Sequence, residues 1–440
     1  MKVNNKFPQI AAKAMADKAL KFTSLAHHLN KRLLCSIFGE LKRDKACGID
    51  GVTLESYESN LQSNIEELVL KMKDQTYCPQ PVKRVYIPKP GKDEKRGLGI
   101  PSTEDKLVQL GVKHILESIY ESDFLDCSHG FRPNKSCHTA ILALNQAVMK
   151  QPVNFIVEVD IRKFFDNVNH YWLLRGLEER ISDPNFLWLI KRFLKAGVVE
   201  EGVFMESDKG APQGGVVSPL LSNIYLHYVL DLWFEKKFKT TSGNYMQLIR
   251  FCDDFVVTFE SRKDADRFLT ELRERFSKFG LEVAEDKTQL IEFGKKAFMK
   301  CERSNTKPLT FDFLGFTHFI KKSRNGFPII VHKTSGVNLR RKIKAMKDWL
   351  RFIRTKTPSH EWFPILKAKL TGHYNYFGLS GNYRCLKQFY SQVISLVFKW
   401  INRRSQKKSM NWSAFMNYLQ IFPLPQPRIT LDLYKSKPTR

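Results

Sequence analysis

The sequence lacks the features that mark membrane-spanning, secreted and zinc-binding proteins. No apolar run approaches the roughly 20 residues that a membrane-spanning helix needs. The first residues scatter Lys and Asp among Ala, without the apolar stretch of a secretory signal. None of the 8 Cys residues forms a CxxC pair, and no Cys/His cluster has zinc spacing. These absences argue against structural zinc and a disulfide framework, and they favour a cytoplasmic protein with no membrane partner.

Acidic residues are scarce relative to basic ones. The 440 residues include 45 Asp and Glu against 72 Lys and Arg, which gives a net charge of +27. Residues 331–440 alone contain 22 basic and 3 acidic residues. Solubility requires far less charge than this. A polyanionic partner, nucleic acid ahead of anionic lipid, is therefore expected.

The hydrophobic content of 42% excludes disorder, and the length predicts two to four domains. Alternation predicts a hairpin over 82–101 with a basic tip, and strands over 155–161, 248–251, 255–259, 281–293 and 311–319. Helical spacing predicts helices over 22–41, 61–72, 103–118, 135–149, 170–196, 218–234 and 263–279, and basic helices over 339–353 and 386–401. A turn is expected at Gly48–Gly51, between the first two helices.

Asp253 and Asp254 separate two short apolar segments. An Asp pair is common in tight turns, and that explanation remains open. Carboxylates between apolar strands nevertheless need charge compensation, which divalent cations supply. Asp160 is a third carboxylate, at the end of another apolar strand. Three carboxylates from two strands can hold two Mg²⁺ ions about 3.5–4 Å apart, an arrangement that activates an attacking 3′-hydroxyl and stabilises the leaving phosphate.

Further motifs extend this pattern along the chain. They are, in order, Gly48 to Gly51, Arg84-Val-Tyr-Ile-Pro-Lys-Pro-Gly91 with Arg96-Gly-Leu-Gly-Ile-Pro101, Gly130-Phe-Arg-Pro-Asn-Lys-Ser136, Asp160-Ile-Arg-Lys-Phe-Phe-Asp166, Ala211-Pro-Gln-Gly-Gly-Val-Val-Ser-Pro219, Phe251-Cys-Asp-Asp254, Gly280-Leu-Glu-Val with Lys287-Thr288, Phe313-Leu-Gly-Phe316, and Gly372-His-Tyr-Asn-Tyr-Phe-Gly378. Together, over residues 35–420, they resemble bacterial reverse transcriptases of the group II intron lineage.

The resemblance implies roles for individual residues. Asp160, Asp253 and Asp254 would be the ligands of two Mg²⁺ ions. The implied nucleotide-binding residues are Lys89 and Arg96 at the triphosphate, Lys287 near it, Gln213 in the pocket, and Phe165 as a sugar gate. A ring at position 165 would collide with a ribose 2′-hydroxyl, so deoxynucleotides are the expected substrates. Solvated charges at Lys89, Arg96 and Lys287, and a core position for Phe165, are the alternatives. The expected nucleic-acid contacts are Arg132, Lys135, Arg403 and Arg404.

For the fold, the resemblance implies an α+β, right-hand polymerase with fingers and palm, followed by a basic α-helical thumb or maturase-like domain. We expect an N-terminal helical extension and the start of the fingers over 1–78, the reverse transcriptase fingers and palm over 79–330, and the thumb over 331–440. An aromatic cluster in the thumb, at His373, Tyr374, Tyr376 and Phe377, either packs in its core, which we favour, or stacks on unpaired bases.

The implied function is RNA-directed DNA polymerase activity. The expected partners are a structured RNA template or noncoding RNA, an RNA–DNA duplex and deoxynucleoside triphosphates. Two departures bear on the biological role: the catalytic turn reads Phe-Cys-Asp-Asp rather than Tyr-Ala-Asp-Asp, and little chain follows the thumb for DNA-binding or endonuclease domains. We therefore expect a domesticated anti-phage defence enzyme that works with a noncoding RNA. The alternatives are a group II intron-encoded reverse transcriptase and maturase for splicing and mobility, and a non-catalytic RNA-binding maturase.

Overall fold

The computed structural model describes residues 7–88, 95–211, 214–403 and 410–434. The α-helices in these ranges are α1 (Phe7–Ala16), α2 (Lys31–Ile37), α3 (Leu54–Glu58), α4 (Leu61–Lys73), α5 (Thr103–Tyr120), α6 (Cys137–Lys150), α7 (Phe164–Asn167), α8 (His170–Glu178), α9 (Pro184–Leu194), α10 (Ser218–Leu226), α11 (Arg262–Lys278), α12 (Lys295–Arg303), α13 (Gly336–Ile353), α14 (Ser359–Phe377), α15 (Tyr383–Ile401) and α16 (Trp412–Ile421).

The strands fall into three sheets. They are β1 (Val82–Pro88), β2 (Lys95–Ile100), β3 (Phe155–Asp160), β4 (Val198–Glu200), β5 (Val203–Met205), β6 (Met246–Phe251), β7 (Asp254–Phe259), β8 (Gln289–Glu292), β9 (Phe311–Phe313), β10 (Phe316–Lys322) and β11 (Pro328–Thr334). The sheets have the strand orders β2-β1-β4-β5, β6-β7-β3-β8 and β11-β10-β9. The mixture of helices and sheets is that of an α+β protein.

Local capping determines where the N-terminal helices begin. The Asn30 side chain accepts the Leu33 amide at 3.1 Å and starts α2 at Lys31. The continuous helix expected over 22–41 is therefore wrong, because a residue that bonds the backbone in this way favours a helix end over a helix interior. Helix α4 confirms the expectation for 61–72. The turn at Gly48–Gly51 is also confirmed, since the Gly51 amide donates to the Gly48 carbonyl at 3.4 Å.

The expected hairpin is formed by β1 and β2, which are antiparallel with Lys83 opposite Ile100. A second hairpin, β4–β5, extends this sheet by pairing β4 in parallel with β1. Sequence alternation did not predict β4 and β5, because three residues are too few for a period to show.

The sheet β6-β7-β3-β8 is apolar along its central strands, and the rings of Phe255 on β7 and Phe276 on α11 meet at 6.5 Å. The strand predicted over 281–293 is limited to β8 at its end. The strand predicted over 311–319 is divided into β9 and β10 by a turn at Leu314 and Gly315, whose φ angles are +49° and +81°. The helix predicted to end at Phe234 continues beyond α10 as π-helical turns over 227–231 and 234–238.

The C-terminal helices α13 to α16 surround a core that includes Trp362, Leu370, Leu386 and Val393. Helix α13 buries Leu339, Met346 and Leu350 on one face, as its spacing predicts, and exposes basic residues on the other. The aromatic cluster is mostly core, because His373, Tyr374 and Phe377 are buried whereas Tyr376 is 39% exposed. Helices α12, α14 and α16 and strand β11 were not expected from the sequence.

The chain forms two compact units, and both are discontinuous in sequence. The first contains residues 1–140, 157–257 and 262–289, and the second contains 141–156, 258–261 and 290–440. The boundary expected near 330 falls inside β11. The three-part division into 1–78, 79–330 and 331–440 stays a prediction about functional parts.

Two further observations concern the cysteines and the character of the helices. All 8 Cys residues are free. Among the described residues, no helix combines the length and apolar character that crossing a bilayer requires.

Candidate active site

Three carboxylates lie at one end of the sheet β6-β7-β3-β8. Strand β3 ends at Asp160, and β7 begins at Asp254. The Asn154 amide, just before β3, donates to the carbonyl of Phe259, the last residue of β7, at 2.9 Å. The two neighbouring strands are therefore antiparallel, and this register brings the end of β3 beside the start of β7. Asp160, Asp253 and Asp254 are all half-buried there.

A tight turn joins β6 to β7 and presents the Asp pair. Cys252 has a φ of +59°, a left-handed conformation that costs energy for a residue with a side chain. Its thiol is buried, and burial, together with the charge of Asp253, raises its pKa. The thiol therefore stays neutral and serves as packing beneath the turn.

A buried arginine holds this turn from below. Arg250 on β6 is completely buried, and its Nε and Nη2 atoms bond the two oxygens of Asp231 at 2.7 and 2.5 Å. Burial alone would lower the pKa of Arg250, but the Asp231 carboxylate more than compensates and the pKa is raised. Arg250 thus keeps its charge inside the protein.

The same guanidinium reaches the turn itself. Its Nη1 donates to the Cys252 carbonyl and to Asn223 Oδ1, both at 3.0 Å, and its Nη2 donates to Ser128 Oγ at 2.9 Å. Every N–H of Arg250 therefore has an acceptor. The arginine ties the turn, helix α10 and the loop after α5 into one network.

The loop at 128–132 packs directly on the turn. A Cβ at Gly130 would lie 2.6 Å from the Cys252 amide nitrogen, so only glycine fits. The Gly130 carbonyl accepts the Asn223 side-chain amide at 2.6 Å. This contact explains why the Gly130-Phe-Arg motif accompanies an Asp pair far away in the sequence.

Asp160 is paired with a cation from the same unit. The ammonium of Lys287 forms a salt bridge with the Asp160 carboxylate. The Asp160 carbonyl accepts the Ala284 amide at 2.8 Å, and the Lys287 amide donates to the Ala284 carbonyl at 3.0 Å. The segment 284–287 is therefore fixed beside the end of β3, and Lys287 lies in the candidate site.

The donor set suits a hard divalent cation, because carboxylate oxygens are the ligands that Mg²⁺ takes in proteins. Within the described ranges, however, no three His, Cys, Asp or Glu side chains are arranged closely enough to hold a metal ion. The Asp160 carboxylate has Lys287 as its cation instead. The residues fit a metal site by chemistry and by their place at the sheet end, and Mg²⁺ remains a proposal.

A cavity of about 570 Å³ lies between α7 and the hairpin sheet. Phe165 lines it and is buried, with its ring 5.3 Å from that of Phe164. The cationic side chains of Arg84, Lys163 and Lys209 also line this cavity. The carboxylates of Asp166, Glu206 and Asp208 line it as well, so the cavity is polar, with both charge signs, beside an aromatic ring.

The glycine-rich segment is fixed against both walls of this region. The Ala211 amide donates to the Phe165 carbonyl at 2.8 Å. Gly214 has a φ of +111°, and a Cβ there would lie 2.5 Å from the Gly99 carbonyl oxygen on β2. A glycine is required at this close approach, and the neighbouring Gln213 lies outside the described residues.

Other expected nucleotide contacts are only partly described. Lys89 lies outside the described residues. The backbone of Arg96 belongs to β2, opposite Ile87. Their proposed roles at the triphosphate stay predictions.

The expected nucleic-acid contacts differ in placement. Arg132 is 8% exposed, and its guanidinium bonds Glu121 and the carbonyls of Leu125 and Ser128. It supports the loop on the turn, so we leave it out of the proposed phosphate contacts. A family motif indicates that Arg132 is important, but it does not tell whether the guanidinium contacts a ligand or the protein itself.

The remaining two described contacts are at the surface. Lys135 donates to Asp126 at 3.0 Å. Arg403 is exposed, with its guanidinium 5.9 Å from the ring of Trp400. Arg404 lies outside the described residues. The roles of these residues in nucleic-acid binding stay predictions.

Sequence reasoning missed the residues that support the turn, namely Arg250, Asp231 and Asn223. One signal was available: Arg250 stands in the apolar stretch Leu248-Ile-Arg-Phe251, and a charge in a buried strand needs a partner. The sequence alone could not name Asp231 as that partner, because it comes from a π-helical turn.

Comparison with known proteins adds the wider context. The family described as "Reverse transcriptase (RNA-dependent DNA polymerase)" matches residues 87–318, which is more than half of the chain. This range includes Asp160, Asp253, Asp254 and Lys287.

Individual relatives are similar over different parts of the chain. The "Group II intron-encoded protein LtrA" of Lactococcus lactis subsp. cremoris is 28% identical over 438 residues, covering 80% of this chain and 69% of that protein. "Protein YkfC" of Escherichia coli is 38% identical over 183 residues, covering 41% of this chain and 48% of its own length. The "Putative COX1/OXI3 intron 2 protein" of Saccharomyces cerevisiae is 36% identical over 223 residues, covering 48% of this chain and 25% of that protein.

Proposed function

Because the chain belongs to the reverse transcriptase family, we propose that it is an RNA-directed DNA polymerase that adds deoxynucleotides to a 3′-hydroxyl on an RNA template. The observation that supports this most directly is the meeting of the ends of β3 and β7, which carry Asp160 and the Asp253–Asp254 pair. The fully bonded Arg250 beneath the turn adds support, because a catalytic carboxylate pair must be held in a defined orientation.

In this proposal, Asp160, Asp253 and Asp254 hold two Mg²⁺ ions. When bound, such ions lower the pKa of the attacking hydroxyl and neutralise charge on the phosphates. The protein's own part is to orient these carboxylates through Arg250 and the Gly130 loop. Lys287, already beside Asp160, provides a mobile positive charge for the triphosphate.

The nucleotide would lie in the cavity beside Phe165. Its lining includes the cations Arg84, Lys163 and Lys209 and the carboxylates Asp166, Glu206 and Asp208. The ring of Phe165 would exclude the 2′-hydroxyl of a ribonucleotide. Lys89, Arg96 and Gln213 complete the proposed pocket on the basis of their motifs alone.

We assign the sheet β6-β7-β3-β8 and the helices on it to the palm, and the hairpin β1–β2 with its preceding helices to the fingers. Residues 331–440 form the proposed thumb. Helices such as α13, apolar on one side and basic on the other, suit binding along a nucleic-acid duplex, where several phosphates are neutralised together.

A role with structured RNA is proposed from the relatives, two of which are described by the introns that encode them. The name of the first, a group II intron-encoded protein, favours the alternative of an intron-encoded enzyme for splicing and mobility. The anti-phage role with a dedicated noncoding RNA stays a prediction, as does the non-catalytic maturase.

The activity is tested by template-dependent primer extension with Mg²⁺. Asp253→Asn together with Asp254→Asn should abolish extension, because both proposed metal ligands lose their charge, while RNA affinity is retained. Asp74→Asn, an exposed carboxylate at the end of α4, is the matched control and should extend normally. Extension by the double variant near the wild-type rate would refute the metal assignment, and a wild-type protein that binds RNA without extending would support the non-catalytic maturase.

The biological role is tested by sequencing the RNA and DNA that copurify with the protein. An intron transcript supports splicing and mobility. A compact RNA with many DNA copies supports the defence role.

A further inference from the structure

A second cavity, of about 440 Å³, lies between α13 and α14 in the second unit. Its volume is within the roughly 300–1,000 Å³ of small-ligand pockets. The floor is apolar and aromatic, formed by Met346, Trp349, Phe377 and Phe389. It contains none of the residues proposed for polymerisation.

A buried histidine faces this cavity. His373 is 7% exposed, and within the described part of the chain neither of its ring nitrogens has a hydrogen-bond partner. Burial, assisted by the charge of Lys342, lowers its pKa to about 4, so the ring is neutral near pH 7 and carries one donor and one acceptor. Buried polar atoms normally have partners, and leaving one without costs about 1–3 kcal/mol. A bound ligand would supply the partner that the protein does not.

Three cations surround the same cavity: Arg341, Lys342 and Lys369. The pKa of Lys342 is lowered by partial burial and by the charges of the other two. Considering the described residues only, no carboxylate forms a salt bridge with any of the three. The Lys369 ammonium lies 4.9 Å from the centre of the Trp349 ring. The cavity thus combines an aromatic floor with uncompensated positive charge.

A glycine keeps one wall open. Gly372 lies inside α14 and lines the cavity, and a Cβ built there meets no heavy atom within 4 Å. Glycine in a helix interior costs roughly 0.5–1 kcal/mol relative to alanine, and no close contact in the protein requires it here. Its effect is to leave room for a ligand.

We propose that this cavity binds a nucleotide, with the base on the aromatic floor beside His373 and the phosphate on Arg341, Lys342 and Lys369. Every base has a flat face that stacks on aromatic side chains, and Arg and Lys are the usual phosphate partners. A purely apolar ligand would leave the cations and His373 without partners, and a simple anion would leave the floor unused. The nucleotide is either an unpaired residue of bound RNA or a free mononucleotide.

The first test uses the unmodified full chain. A short single-stranded RNA with thiouridine in place of uridine is bound and irradiated, and the crosslinked peptides are identified by mass spectrometry after trypsin digestion. Crosslinks are expected in the peptides 348–351 and 370–384, which contain Trp349 and Tyr376. Crosslinks only in other peptides would overturn the proposal, and this result does not depend on a variant folding.

The second test fills the cavity. Gly372→Leu should weaken binding of intact RNA about tenfold, or about 1.4 kcal/mol, because one stacked base is displaced. For the same RNA with abasic residues, the affinity of the Gly372→Leu variant should equal the affinity of the wild-type protein. Lys347→Gln, an exposed cation on α13 that does not line the cavity, is the control and should weaken both RNAs equally. Intact RNA bound as tightly by Gly372→Leu as by the wild type, or an equal loss for both RNAs, would overturn the site.

A competition experiment identifies the source of the nucleotide. If adenosine monophosphate suppresses the crosslinks in 348–351 and 370–384, the site accepts free nucleotides. If the crosslinks persist, the site belongs to an unpaired residue of the RNA. The extension assay is independent of both outcomes, so failure of this site and failure of the polymerase proposal are distinguishable.

Discussion

Replacing Arg250 by Met should destabilise the protein and disturb the Asp253–Asp254 turn. The substitution leaves Asp231 charged and fully buried without its cation, since both side chains are 0% exposed. It also removes the N–H groups that donate hydrogen bonds to Asn223 Oδ1, Ser128 Oγ and the Cys252 carbonyl. Breaking a buried ion pair on one side costs about 3–5 kcal/mol, so the free energy of unfolding should fall by that amount. Urea denaturation followed by circular dichroism measures it.

A double variant separates the charge from the packing. Arg250→Met combined with Asp231→Leu removes both charges and should recover at least about 2 kcal/mol, because apolar replacement of a buried pair is often neutral. Primer extension should remain impaired in the double variant, since the Cys252 carbonyl still lacks its donor.

An exposed pair provides the matched control. Arg273 bonds Glu285 at 2.7 and 3.0 Å, but the two side chains are 45% and 57% exposed. Arg273→Met should therefore cost less than about 1 kcal/mol. If Arg250→Met costs no more than this control, or if Asp231→Leu restores nothing, the argument for a turn held by a buried charge pair is refuted.

Three further predictions concern other parts of the protein. Phe165→Ala should admit ribonucleotides in primer extension, and unchanged discrimination would remove Phe165 from the sugar-gate role. Gly214→Ala should lower stability by at least about 1 kcal/mol, because its Cβ would meet the Gly99 carbonyl, whereas Gly243→Ala, with open space around it, should be neutral in the same urea assay. Burial lowers the pKa of His318 from 6.5 to about 4. As the pH falls, this histidine is therefore protonated at a higher pH in the unfolded chain than in the folded protein. Stability should decline below about pH 6.5, and His318 should contribute up to about 3 kcal/mol of that decline by pH 4. His318→Asn should make the decline smaller without removing it, because burial also lowers the pKa values of His129, His227, His332 and His373.

Local patterns predicted the parts of the fold that depend on neighbouring residues. The alternation over 82–87 and the segment 97–101 predicted the β1–β2 hairpin, and the apolar segments around Asp253 and Asp254 predicted β6 and β7. The place of Asp160 at the end of its strand followed from the same period. These features could be predicted because successive side chains of a strand point to opposite faces, so apolar and polar residues alternate in the sequence.

The supporting contacts depend on residues that the sequence keeps far apart. Arg250 finds Asp231 and Ser128 only after the sheet and helix α10 pack. Arg132 was expected to contact nucleic acid, yet it is buried and its guanidinium bonds Glu121. Tertiary neighbours decide whether a charged side chain is buried. Composition and spacing could therefore indicate that these residues are important, but could not tell which groups they contact.

The discontinuity of the two units also bears on synthesis in the cell. Residues 141–156 belong with 290–440, and Ile141 is part of the same buried cluster as Trp362. During translation at about 5–20 residues per second, these early residues emerge on the order of tens of seconds before their partners. Throughout that interval an apolar stretch of nascent chain stays uncovered, which makes it a natural place for a chaperone to bind.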